Sequence, residues 1–251
     1  MAGNIVVSQI NGGSIGVINA IINGNFQVNQ RAVSGTVTLA AGVYGHDRFK
    51  AGASGCTYTF ATANNITTLT ISAGSLIQVI EGLNLYSGTY TLSWTGTAQG
   101  KIGAGSYAGS GVTGTAVGGT NLNIEFNTGT VSLVQFEQGS VATPFEHRPY
   151  GTELALCQRY YLKNTTSVDG GGVSFATLSR DIIVGVKVNF PAEMRSTPTL
   201  SMLGTTGRSG GDADGEQIST IGFSWGRKKT GSGSADVYAF ANGGFAVSAE
   251  L

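Results

Sequence analysis

LNIEFNTGTVSLVQFE, residues 122–137, is the stretch whose reading decides the fold. Leu122, Ile124 and Phe126 are apolar at every second position, the period at which a strand turns one face to a core. Asn127-Thr128-Gly129-Thr130 has the composition of a turn, and VSLVQFE resumes in strand-forming residues, so the whole reads as a β-hairpin. TYTLSW (89–94) alternates in the same way, with Tyr90, Leu92 and Trp94 on one side and Thr89, Thr91 and Ser93 on the other. Trp94 is therefore assigned to the core.

Outward from these stretches the same pattern recurs. Strands are predicted at 36–40, 57–61, 67–71, 75–82, 88–95, 122–127 and 130–137, making residues 21–147 a β-sandwich. The glycine-rich segment 101–120 is left between flat strands and a long loop. RPYGTELALCQRYYL (148–162) changes character: Thr152 is placed to cap a helix starting at Glu153, with Leu154, Cys157, Gln158 and Tyr161 on one face. Strands return at 173–178, 182–190, 199–203, 218–225, 235–241 and 244–251, a small C-terminal antiparallel β domain over 163–251. The chain thus reads as all-β, a sandwich and a second β unit joined by a short linker helix. Residues 1–20, apolar but interrupted by Asn-Gly-Gly, read as an extended attachment arm able to add a strand to a partner's sheet edge.

Composition narrows the function. Charged residues are 11% of the 251, well below the usual quarter, and 14 basic residues balance 14 acidic ones. A nucleic-acid partner needs a basic footprint, and the chain has none. A weakly charged surface suits a part held inside an assembly. Forty glycines without a three-residue period exclude collagen. Cys56 and Cys157, far apart, are expected as buried thiols, and two Cys with two His offer no zinc spacing. No secretory signal and no membrane-length apolar run is present, so synthesis in a cytoplasm without membrane insertion is expected.

NGNFQVNQR (23–31), GVYGHDRF (42–49), VSLVQFEQGSVATPFEHRPYGTELALCQRYY (131–161) and FAVSAEL (245–251) form a set. Together they resemble bacteriophage tail-fibre and virion appendage proteins with a carbohydrate-binding-module-like jelly-roll domain. Val28-Asn29 stands where the family has an aromatic, and Asp47-Arg48-Phe49 where it has Asp-Arg-Trp. The resemblance implies a jelly-roll β-sandwich, a helix and a small β domain, assembled as a homotrimer. It implies a virion protein contributing to attachment to host surface glycans, bound to other virion proteins through residues 1–20. The alternatives are a head decoration or capsid-fibre protein and a polysaccharide-degrading enzyme. The segments also have structural work to do: Asn23 and Asn25 to pin a turn, Asp47 and Arg48 to bond strand ends or neighbouring charges.

No catalytic residue, cofactor or metal is expected. His46 and His147 lie in segments with structural explanations, and no G-x-S-x-G elbow occurs. Asp212, Asp214 and Glu216 share one stretch and so do not oppose each other across a cleft, and DADGE lacks the distant glutamate of a calcium loop. For glycan contact the candidates are Arg208, Asp212 and Asp214 in a loop at 204–216, and Trp225, Arg227 and Lys228 with Lys229 at the loop 226–234. Tyr107 is a further aromatic, more readily explained by packing.

Overall fold

A computed structural model describes residues 19–165, 168–175, 183–203, 205–209, 213–228, 235–242 and 244–251. The chain is all-β with one α-helix among the described residues. Its strands are β1 Val37–Leu39, β2 Phe49–Ala63, β3 Ile66–Ile80, β4 Gly88–Thr95, β5 Gly100–Ile102, β6 Val112–Ala116, β7 Leu122–Phe126 and β8 Gly129–Gln138. Then come α1 Tyr150–Gln158, β9 Tyr161–Asn164, β10 Val168–Phe175, β11 Ile183–Asn189, β12 Thr199–Met202, β13 Thr205–Ser209, β14 Ala213–Ser219, β15 Gly222–Lys228, β16 Ala235–Asn242 and β17 Phe245–Ser248.

The sandwich is organised by the β2–β3 hairpin. Asn64 and Asn65, both at positive φ, make its two-residue turn. The segments at 67–71 and 75–82 expected as two strands are one, bent at a bulge where Gly55 and Gly74 have φ of 80° and 72°. A Cβ on Gly74 would collide with the Gly55 carbonyl, so only glycine allows this crossing. Beyond the bend, β3 pairs with β7, and β7 with β5; before it, β3 pairs with β8, which continues to β4 and β6. The enclosed core holds Phe49, Tyr58, Leu69, Leu76, Leu92, Trp94, Ile124, Phe126, Val134 and Phe136. Tyr90, Leu92 and Trp94 point inward as their alternation requires, and Trp94 meets Phe126 edge to face at 5.2 Å.

The hairpin expected at 127–130 is not there. β7 and β8 both run antiparallel to β3, opposite 76–80 and 69–71, so the chain goes straight on instead of reversing. The turn-like residues hold a neighbouring loop instead. Asn127 exchanges bonds with Gln99, Thr130 with Thr97, and Gly129 packs where a Cβ would strike the Ala98 backbone. Alternation identified the strands correctly, but strand partners are set by contacts distant in sequence.

Helix α1 begins at Tyr150 after Pro149, three residues before the expected start, and Thr152 lies within its first turn. Proline at the boundary sets φ without a side-chain cap. Cys157 is fully buried, Leu154 and Tyr161 are half-buried, and the aromatic that goes inside is Tyr160. The strand expected at 218–225 is two strands: Ser219 pairs with Gly222 across a turn at Thr220 and Ile221, neither of which is a turn-forming residue. The C-terminal unit has three-stranded sheets in the orders β10-β16-β13, β11-β15-β14 and β12-β17-β9. Leu162, Met194, Phe223, Phe245 and Val247 form its core.

The expected arm 1–20 lies outside the described residues up to residue 18. Its last two residues belong to the sandwich: the Ala20 amide donates to the Phe136 carbonyl (2.8 Å), and Asn19 is 2% exposed. Tyr161 and Leu162, read as the end of the linker, already pair with Ser248 and Val247.

Candidate functional site

The segments that carry the resemblance lie far apart in sequence and meet at one place, the junction of sandwich, helix and C-terminal unit. Asn23, fully buried at φ 62°, folds the first segment: its Nδ2 donates to the carbonyls of Val28 (2.8 Å) and Asp47 (3.1 Å), and its Oδ1 accepts from the Val28 amide (2.9 Å). The Asn23 amide donates to Glu153 of α1. Asn25 Oδ1 accepts from the Gln27 amide (3.4 Å). Both asparagines thus pin the turn. Val28 packs with Ile22, Cys157 and Tyr160.

Asp47 and Arg48 extend the network. The Asp47 carboxylate accepts from the Gln30 amide (2.6 Å) and side chain (2.8 Å) and lies 3.7 Å from Arg31. Burial raises its pKa against the lowering effect of Arg31 and the Gln30 bonds. Arg48, 1% exposed at φ 71°, donates to the Val79 carbonyl (2.8 Å), lies 3.5 Å from the centre of the Tyr160 ring and pairs with Glu250. Arg31 bonds the same Glu250 carboxylate (3.2 Å) and lies 3.7 Å from the Tyr161 ring centre. Glu250 therefore joins two arginines of the sandwich from the far end of the chain.

The third segment closes the assembly. Arg148 donates to the carbonyls of Asn19 and Ile21 and pairs with Glu146 (3.2 Å) and Glu153 (3.4 Å). The Tyr160 hydroxyl donates to Glu81 (2.8 Å), and the Ala249 amide donates to the Tyr160 carbonyl (2.7 Å). Gln78, fully buried, exchanges both side-chain bonds with the backbone of Ile22. Removing one member of such a buried network strands its partners, typically at about 3–5 kcal/mol. Glu81, Gln78, Glu153 and Glu250 were not singled out in the sequence. The available signal was a polar residue inside an apolar run, as in SLIQVIEG (75–82).

His46 sits in the core with its ring 4.6 Å from Phe60 and its Nδ1 3.0 Å from the Tyr58 hydroxyl, and burial pushes its pKa down to about 4. His147 is exposed, edge-on to Phe145 at 4.9 Å. Cys56 and Cys157 are both buried free thiols, and burial raises the pKa of each. Tyr107 donates its hydroxyl to Glu125 (2.9 Å), which also pairs with Lys101 (2.9 Å).

The glycan candidates distribute unevenly. Where loops were expected at 204–216 and 226–234, most described residues are in strands. Asp214 lies opposite Arg227, Ala213 opposite Lys228, and Trp225 opposite Glu216 on β14 and Val186 on β11. Arg208 is on β13, opposite Ala239, in a different sheet. Asp212, Lys229 and residues 230–234 lie outside the described residues. Asp214 and Glu216 of the calcium-like stretch are on an extended strand, which does not wrap an ion as a loop does. The described residues contain no group of three metal-ligating side chains and no helix long and apolar enough to cross a membrane. No protein-family model, curated protein or solved structure matches the chain.

Proposed function

We propose that this chain is a structural protein of a bacteriophage particle, a short tail fibre or similar appendage built on a jelly-roll-like sandwich and assembled as a homotrimer. The supporting observation is the convergence of the four family-like segments on one buried polar network. That network joins the sandwich, α1 and the C-terminal unit rigidly, as a display scaffold needs. In this reading the part of the expected arm before Asn19 binds a virion partner and the C-terminal unit meets host surface glycan, with Asp214, Trp225, Arg227 and Lys228 brought onto adjacent strands.

Gold-labelled antibody against the purified chain tests the reading on intact particles. Label at the tail tip, with antibody blocking adsorption, supports the appendage. Label over the head favours a decoration protein, and absence of label from purified particles removes the virion role. Release of reducing sugar from host polysaccharide by the purified chain would replace this reading with the degrading enzyme.

A further inference from the structure

Asn-Gly is a dipeptide prone to lose ammonia, because glycine leaves the backbone nitrogen after the asparagine unhindered. The chain has three, at 11–12, 23–24 and 242–243. At the second, the Gly24 nitrogen attacks Cγ of Asn23. The N–Cγ bond forms as the Cγ–Nδ2 bond breaks, and ammonia leaves with the proton from Gly24. Water then opens the five-membered succinimide at one of its two carbonyls, giving aspartate or isoaspartate. No oxidant or catalyst takes part. The step needs a side chain free to turn onto the next nitrogen, and water to carry the proton.

The fold denies Asn23 both. Its side chain is fully buried and engaged at both ends: Nδ2 donates its two hydrogens to the carbonyls of Val28 (2.8 Å) and Asp47 (3.1 Å), and Oδ1 accepts from the Val28 amide (2.9 Å). Gly24 is held as well, its carbonyl accepting from the Val134 amide of β8 (2.8 Å). The fold also uses both members of the labile pair for what they are. A Cβ on Gly24 would strike the Val134 carbonyl oxygen. Position 23 has φ 62°, a conformation that asparagine adopts more readily than most residues. The liability is therefore built into the turn that closes the junction.

We propose that Asn23-Gly24 is a modification site closed by folding: the unfolded chain deamidates there, and the deamidated chain no longer folds. Both products replace the donating Nδ2 by an oxygen that only accepts. The Val28 and Asp47 carbonyls then face a carboxylate in a buried site, beside the Glu153 carboxylate that receives the residue 23 amide. Isoaspartate also adds one methylene group to the backbone ahead of Gly24, which shifts Gly24 away from its bond to Val134. Each unfolded chain thus carries a timer that folding stops. This inference is independent of the virion reading.

Peptide mapping by mass spectrometry tests this on the full chain, kept at pH 8 in buffer and in denaturing urea. Deamidation at Asn23 is expected to be at least about tenfold slower in buffer, where it waits for local opening. The urea sample is then returned to buffer and its folded fraction isolated by size exclusion. Chains with aspartate or isoaspartate at 23 are expected to be at least about tenfold rarer in that fraction than in the starting mixture. Equal rates in buffer and urea overturn the proposal, and so does equal abundance of the modified chain in the folded fraction. Where the urea sample does not return to the folded state, the expressed variant Asn23→Asp decides. A variant that retains the wild-type unfolding transition overturns the proposal, and one that lacks it supports it.

Discussion

His46 is a base placed where burial opposes its charge. Its folded pKa of about 4 lies below the unfolded 6.5, so between these values the unfolded chain binds a proton that the folded chain refuses. The stability it contributes is complete above pH 6.5 and is lost as pH falls to 4, a change of about 3 kcal/mol. Asp47 acts in the opposite sense, because burial raises its pKa and the folded state then takes up a proton first as pH falls. The His46→Gln variant isolates the histidine: urea unfolding at pH 7 and pH 4.5 should show the wild type losing about 2–3 kcal/mol more than the variant over that interval. Parallel losses would mean that His46 is not the titrating group. The residue scale also shows what was legible in advance. The turn-pinning roles of Asn23 and Asn25 follow from local geometry, since the turn's backbone partners, Val28 and Gln27, are two to five residues away; the further bond from Asn23 to the Asp47 carbonyl was not legible. The partner of Arg48 was not legible, because Glu250 is 202 residues distant and only the fold brings it there.

Elements were readable where the pattern is local. β4 begins and ends where its alternation predicts, at Gly88 and Thr95. The 127–130 hairpin and the single strand at 218–225 failed for one reason: pairing and reversal depend on neighbours, and turn-like residues in one case and turn-poor residues in the other concealed them. β2 has a further property that its sequence alone did not reveal. β1 covers its outer edge only at Cys56–Tyr58, and among the described residues no strand pairs with the outer edge of Thr59–Ala63. That edge has neither charge nor proline, the usual protections against edge-to-edge association. Ala61 is exposed, so Ala61→Lys should slow concentration-dependent association, measured by light scattering, while shifting stability by less than about 0.5 kcal/mol. Unchanged association would exclude this edge as the route.

The whole molecule depends on the junction. Residues Ala249 to Leu251 are held by Arg31, Tyr44, Arg48 and Lys50 of the sandwich, by Tyr160 just after α1 and by Arg195 of the C-terminal unit. Glu250→Ala leaves two arginines of the sandwich without their shared carboxylate and should cost about 3–5 kcal/mol in the coupling of the units. Calorimetry should then resolve the C-terminal unit as a separate, earlier transition. A single transition at the wild-type temperature would show that the sheets, and not the tail, couple the two units.

The Glu250 clasp also imposes a timetable on synthesis. Arg31 leaves the ribosome 219 residues before the carboxylate it will bind. At ordinary translation rates that interval is roughly 10–40 s. Throughout it the nascent sandwich carries two arginines with no Glu250 to receive them. A polypeptide stopped anywhere short of residue 250 remains in that state permanently, so premature termination and an unlatched junction become the same defect, open to the same proteases.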